Sequence, residues 1–259
     1  MMPYFEVHDR GNGPYMLMLH GFLSSRAQWR CNLAGLTAFC RPVLVELLGH
    51  GRSASPEDPA AYAVASYLRA FEAIRASLDA ERWVVCGQSF GAGLAIQYAI
   101  EHPGRIIGLV FTNSISALSP PGDPERAAAQ KERFLSIEAG GREALAKLRI
   151  HPRHARRFPE EIKAELVADA ETIAPAGILR SIQLTSPDLS IADRLGEIGV
   201  PTLLVNGLWE KRFQPMRARV EAELPGVRIV DCPGGHSVNI EAAEAFEAAV
   251  RAFVTELAP

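Results

Sequence analysis

Seven short apolar runs, separated by longer stretches of helical period, set the first constraint on this chain. The runs are "YFEVH", "YMLMLH", "PVLVEL", "WVVCG", "IIGLVFTN", "PTLLVNG" and "VRIVDC". They lack strict polar alternation, the pattern of parallel strands buried on both faces. Between them lie segments such as Ala65 to Leu78, where Leu68, Phe71, Ile74 and Leu78 recur at helical spacing. Another is Asn239 to Leu257, with Ala242, Phe246, Val250, Phe253 and Leu257 on one stripe. Strand and helix in alternation predict an α/β fold, a mainly parallel central sheet flanked by helices.

One stretch breaks the alternation. From about residue 115 to 199 no strand-like run occurs, and Pro120, Pro121, Pro152, Pro159, Pro175 and Pro187 punctuate a series of helical segments. The expectation is a core made of residues 1–114 and 200–259, with 115–199 as a helical cap inserted over a site. The length of 259 residues suits one large domain carrying such an insertion. A net charge of −3 supplies no field for nucleic acid or an anionic membrane, so the expected partner is a small-molecule substrate. No basic stretch followed by an apolar run opens the sequence, and "YMLML" is far too short to span a bilayer. Cys31, Cys40, Cys86 and Cys232 show no metal-like spacing, so a reduced, cytoplasmic protein without a metal site is expected. Oligomeric state is not legible.

The chemistry is concentrated around "VVCGQSFGAG". Strand "RWVVC" runs into Gly87-Gln88-Ser89-Phe90-Gly91, and "AGLAIQYAIEHP" continues as a helix ending before Pro103. Strand, tight turn and helix are the context of a nucleophile elbow. Glycines two before and two after Ser89 leave room for a turn whose central residue is strained.

A serine hydroxyl needs a base, and seven histidines compete. Only His236, in "CPGGHSVNIEAAEAF", combines a Gly-rich loop at a strand's C-terminal end with a late position. That edge of a parallel sheet is where catalytic groups gather. An acid must orient the base. Glu210, in "LWEKRF", is the first carboxylate after "PTLLVNG" and gives the order Ser…Glu…His; Asp231, at the end of the last strand, is the fallback. Backbone N–H groups of Phe22, after His20-Gly21, and of Phe90, after the nucleophile, are the candidate oxyanion hole.

Taken together, "LHGF", "GHGRS", "GQSFG", "HPGRI" and "GGH" resemble the α/β-hydrolase fold family in order and spacing, over essentially the whole chain. The resemblance implies a helical cap inserted after the sixth strand of the family pattern, and no cofactor. Three departures stand out. Only one strand-like run precedes "YMLMLHGF", so an N-terminal antiparallel strand is expected to be missing or shortened. Glu46 and Glu210 each stand where relatives commonly carry Asp.

The fold alone does not settle the reaction. Haloalkane dehalogenases and epoxide hydrolases of this layout carry Asp as nucleophile, and hydrolases of meta-cleavage products often carry Trp after the base, where Ser237 stands here. The lyase of menaquinone synthesis is similar in "GFLSS…W" but has an arginine four residues after its serine, where this chain has Gly93. Hydrolysis of a small carboxylic ester is the expected activity. The alternatives are a C–C bond hydrolase or lyase acting on a carboxylated ring or dienoate, and a ligand receptor with slow or no turnover. Arg26, Gln28, Gln88 and Trp209 are the further pocket candidates. "RIHPRHARRF", Arg149 to Phe158, reads as a solvated basic surface with acids following that can neutralise it; the alternative is a cap lip that attracts a carboxylated substrate.

Overall fold

In the computed structural model residues 1–10 and 12–257 are described; positions 11, 258 and 259 of the expected core lie outside them. The seven apolar runs become β1 (Phe5–Val7), β2 (Tyr15–Leu19), β3 (Arg41–Val45), β4 (Trp83–Gly87), β5 (Ile106–Thr112), β6 (Thr202–Gly207) and β7 (Arg228–Cys232). They form one sheet in the order β1-β3-β2-β4-β5-β6-β7. β1 is antiparallel to β3, and every other pairing is parallel. The N-terminal antiparallel strand is thus present, at three residues.

Ten α-helices follow in chain order among the described residues, the fifth of them interrupted at Gly141. Around the first half of the sheet they are α1 (Leu33–Leu36), α2 (Val64–Ser77) and α3 (Phe90–Glu101). The segment between β5 and β6 holds α4 (Ile115–Leu118), α5 (Pro124–Lys147), α6 (Glu160–Thr172) and α7 (Pro175–Arg180). After β6 come α8 (Gln214–Glu223), α9 (Val238–Glu241) and α10 (Ala243–Leu257). The helix expected from Asn239 to Leu257 is broken at Ala242, whose φ of −139° and ψ of 53° fit no helix.

The period of two along each strand divides the core into two layers. Leu17, Leu19, Trp83, Val85, Leu109, Phe111 and Leu204 face one side, where Phe71 and Ile74 of α2 and Leu94 and Tyr98 of α3 cover them. Met16, Met18, Val84, Cys86, Val110, Leu203 and Val205 face the other, under Leu36 of α1 and Phe246, Val250 and Phe253 of α10. Each fully buried side chain of this kind contributes about 2 kcal/mol. All four cysteines are free. No helix among the described residues is long and apolar enough to cross a membrane.

The insertion follows β5, the fifth strand of this sheet, rather than a sixth. Only β1 precedes β2, so each later strand drops one place against the family pattern. Its helices pack on loops at the C-terminal edge of the parallel strands. Ile137 and Ile178 pack with Leu23, while Ile162 and Leu166 pack with Ala27 and Ile240. At Gly177 a Cβ would sit 2.7 Å from the Cα of Gly49, so the two backbones touch.

Candidate active site

Ser89 sits between β4 and α3 at φ 53°, ψ −111°. A non-glycine residue there carries about 1–3 kcal/mol of strain. A Cβ on Gly87 would lie 2.5 Å from the Gly91 carbonyl oxygen, and one on Gly91 would lie 2.3 Å from that of Leu19. Both glycines are sterically required. The turn is held from two sides: Gln88 N–H donates to the Leu19 carbonyl at 3.0 Å, and Ser114 Oγ–H donates to the Ser89 carbonyl at 2.7 Å.

His236, on the loop between β7 and α9, brings its Nε2 to 2.9 Å from Ser89 Oγ. Its Nδ1 lies 3.0 Å from both Glu210 oxygens. A carboxylate only accepts, so Nδ1 carries the proton and Nε2 is free to accept from the serine hydroxyl. Glu210 is held in turn by Asn113, whose Nδ2 donates to Oε2 at 2.9 Å. The Asn113 side chain also spans Gly207, donating to its carbonyl and accepting from its N–H. Burial disfavours the His236 cation, but the hydrogen bond and charge of Glu210, with Glu241 beyond, outweigh it and hold the imidazole above its ordinary value. Burial opposes the Glu210 charge too; His236, Asn113 and Arg212 outweigh it and keep that carboxyl below the usual range.

Two buried histidines shape the loop after β2. His20 Nδ1–H donates to the Gly21 carbonyl at 2.7 Å, and its Nε2 accepts from Leu47 N–H. His50 Nδ1–H donates to the Leu48 carbonyl, and its Nε2 accepts from Leu23 N–H at 3.2 Å. Each ring therefore needs one bare nitrogen. Burial, with the neighbouring His50, pushes His20 down to about 3, and burial pushes His50 down to about 4. They grip the residues on either side of Phe22, including Leu23 at a φ of 56°. Among the described residues neither the Phe22 nor the Phe90 N–H has an acceptor. The two rings lie 5.7 Å apart.

Several sequence expectations are corrected. Arg26 is engaged in ion pairs: its Nε meets Glu6 at 3.0 Å, and its Nη1 meets Glu46 at 3.0 Å and Asp169 at 3.7 Å. Gln28 is buried, accepting from Ser24 Oγ–H and donating to Asn239 Oδ1. Gln88 is buried as well, donating to the His236 carbonyl at 3.1 Å. Asp231 pairs with Arg217 and Asn206, so the fallback acid does not reach His236. Trp209 stays exposed beside Glu210. Of the four arginines in the basic stretch, Arg153 pairs with Glu171 and Arg157 with Glu241, acids other than those that immediately follow it.

The family model for the alpha/beta hydrolase fold matches residues 14–243. The chain belongs to the α/β-hydrolase fold family. Among relatives of this hydrolase is a Bacillus subtilis (strain 168) protein named "Putative 2-succinyl-6-hydroxy-2,4-cyclohexadiene-1-carboxylate synthase", 27% identical, over 98% of this chain and 95% of that one. Solved structures of similar fold include MenH from S. aureus, with a TM-score of 0.84 at 20% identity over 99% of both chains. The enol-lactonase from Burkholderia xenovorans LB400 has a TM-score of 0.80 at 21% identity, over 97% of this chain and 96% of its own. At such identities the structural likeness speaks for the fold alone.

Sequence reasoning missed four residues of this α/β hydrolase that hold the site: His20, His50, Asn113 and Ser114. Asn113 and Ser114 stand at the C-terminal end of β5, beside the strand whose loop carries Glu210. A polar pair ending a buried strand was the available signal.

Proposed function

We propose that this α/β hydrolase cleaves a small carboxylic ester through an acyl-enzyme on Ser89. As Ser89 Oγ attacks the carbonyl carbon, its proton passes to His236 Nε2. Glu210 fixes the imidazole tautomer and stabilises the cation that forms. The carbonyl oxygen becomes the oxyanion and takes the N–H groups of Phe22 and Phe90. His236 then protonates the leaving alcohol, and the freed base activates water to release the acid and restore Ser89.

The observation that carries this reading is the unbroken line Ser89 Oγ–His236 Nε2, His236 Nδ1–Glu210, with two N–H groups left without acceptors beside the nucleophile. The test is hydrolysis of short acyl nitrophenyl esters under substrate excess by wild type and Ser89→Ala. Multiple turnovers in the wild type, reduced about 10³-fold or more in the variant, are expected. Equal rates in the two proteins would remove Ser89 from the mechanism.

One observation favours the alternative of a carboxylated substrate, on which a C–C hydrolase or lyase acts. Arg133 lies on α5 one turn before Ile137, which packs with Leu23 in a cluster that Phe22 also touches. It is half-buried and has no carboxylate partner among the described residues, and burial alone lowers its proton affinity. An unpaired guanidinium on the insertion is the group that this reading would set against a substrate carboxylate. Monoesters of a dicarboxylic acid, assayed beside neutral esters, separate the two readings by their relative KM.

A further inference from the structure

Arg157, just before α6, leaves the insertion and crosses to the loop that carries His236. Its Nη1 donates to Glu241 Oε2 at 2.9 Å, and its guanidinium carbon lies 4.9 Å from the Trp209 ring centroid. Glu241 Oε2 also accepts from Gly235 N–H at 3.1 Å. Gly235 directly precedes His236, and Trp209 directly precedes Glu210. One ion pair thus touches the residue before the imidazole and the residue before its carboxylate. The two partners are unequally wet: the Glu241 side chain is 8% exposed and that of Arg157 is 56%. Glu241 is therefore a sequestered charge whose screening depends on a side chain borne by the insertion.

We propose that Glu241 is a positioning residue for His236, and that Arg157 sets how much of the Glu241 charge the imidazole experiences. The inference rests on the reading of His236 as the base. The charges near the imidazole can be named by element. Glu210 comes from the loop after β6, with Arg212 of the same loop acting on it, and Glu241 comes from α9. Arg157 comes from the insertion. The elbow and the loop after β2 present Ser89, Phe90 and Phe22, none of them charged.

The negative charge of Glu241 favours the protonated imidazole, and the positive charge of Arg157 opposes it. Two substitutions of the same ion pair therefore act in opposite directions. Glu241→Gln keeps an oxygen to accept from Gly235 N–H but drops the charge, so His236 holds its proton less tightly. Arg157→Ala leaves the Glu241 charge uncompensated, so His236 holds its proton more tightly. Arg157→Lys restores the charge without the planar fork and returns the titration towards wild type. A role confined to bracing the loop would move both variants alike, or leave the titration where it was.

The experiment is an NMR titration of the His236 Cε1–H signal in resting protein, assigned by its loss in His236→Asn. It is run on wild type, Glu241→Gln, Arg157→Ala and Arg157→Lys, each first checked for a native melting transition. The midpoint is expected to fall by about half a pH unit in Glu241→Gln and to rise by about as much in Arg157→Ala. Midpoints that stay put, or move the same way in both, overturn the proposal. Arg157 is largely exposed, so its variants keep the test available if Glu241→Gln does not fold. The acid limb of kcat/KM for a nitrophenyl ester should move with the NMR midpoints. If the NMR midpoints move as expected and the limb does not follow, the charge coupling stands and the reading of His236 as the base is what fails.

Discussion

Ser89 keeps a left-handed backbone because Gly87 and Gly91 leave no Cβ to push back. That demand is local, so the glycine frame is legible in ten residues of sequence. The Glu210 carboxylate is a different case. What holds it is Asn113, 97 residues earlier, and a strand-end asparagine looks like any turn residue until the partner is seen. Asn113→Ala removes a donor to Glu210 and both bonds to Gly207. We expect kcat to fall about tenfold, equivalent to about 1.4 kcal/mol, with KM nearly unchanged. Steady-state kinetics on the nitrophenyl ester checks this, and a change confined to KM would place Asn113 in binding instead. Arg26, Gln28 and Gln88 show the same dependence on distant partners in reverse. Each reads as a pocket group by its neighbours in sequence, yet each already has its side-chain partners within the fold: Arg26 with Glu6, Glu46 and Asp169, Gln28 with Ser24 and Asn239, and Gln88 with the His236 carbonyl.

Among the elements, the loop after β2 depends on two rings that must stay neutral. An unfolded histidine takes up its proton near pH 6.5, whereas the folded values here are about 3 for His20 and about 4 for His50. Below pH 6.5 the unfolded chain therefore binds protons that the folded chain refuses, and stability falls as pH drops. The slope is about 1.4 kcal/mol per pH unit for each ring. His236, held above its ordinary value, has the opposite sign: its contribution is complete below the unfolded value and fades as pH rises through the folded one. His50→Gln keeps an acceptor for Leu23 N–H and removes one titrating ring. Urea unfolding at pH 6 and pH 5 should show a shallower acid dependence in that variant; an equal slope would mean that His50 is protonated in the fold. Neither ring was legible as a site element, because a histidine beside a glycine carries no sign of which nitrogen is bare.

At the scale of the whole molecule, strand number was readable because periodicity is carried by every residue of a segment. The joints between core and insertion were not. Arg26 joins Glu6 of β1, Glu46 just after β3 and Asp169 of α6, and the last of these is 143 positions away in sequence. The Glu46 side chain is fully buried there, so Arg26→Met strands its charge. The expected loss is about 3 kcal/mol in urea unfolding. A loss under about 1 kcal/mol would show that the Arg52 N–H bond suffices for Glu46. Span also governs when the site comes into being. Ser89 and His236 are 147 residues apart, and β6 and β7 join the edge of the sheet only after the insertion has been made. On a translating ribosome the elbow is complete while the base is still unsynthesised, so under the proposed mechanism the nascent chain carries an ordinary alcohol. A reagent that labels only activated serines would thus report that the last two strands have docked, and would stay silent on every shorter intermediate.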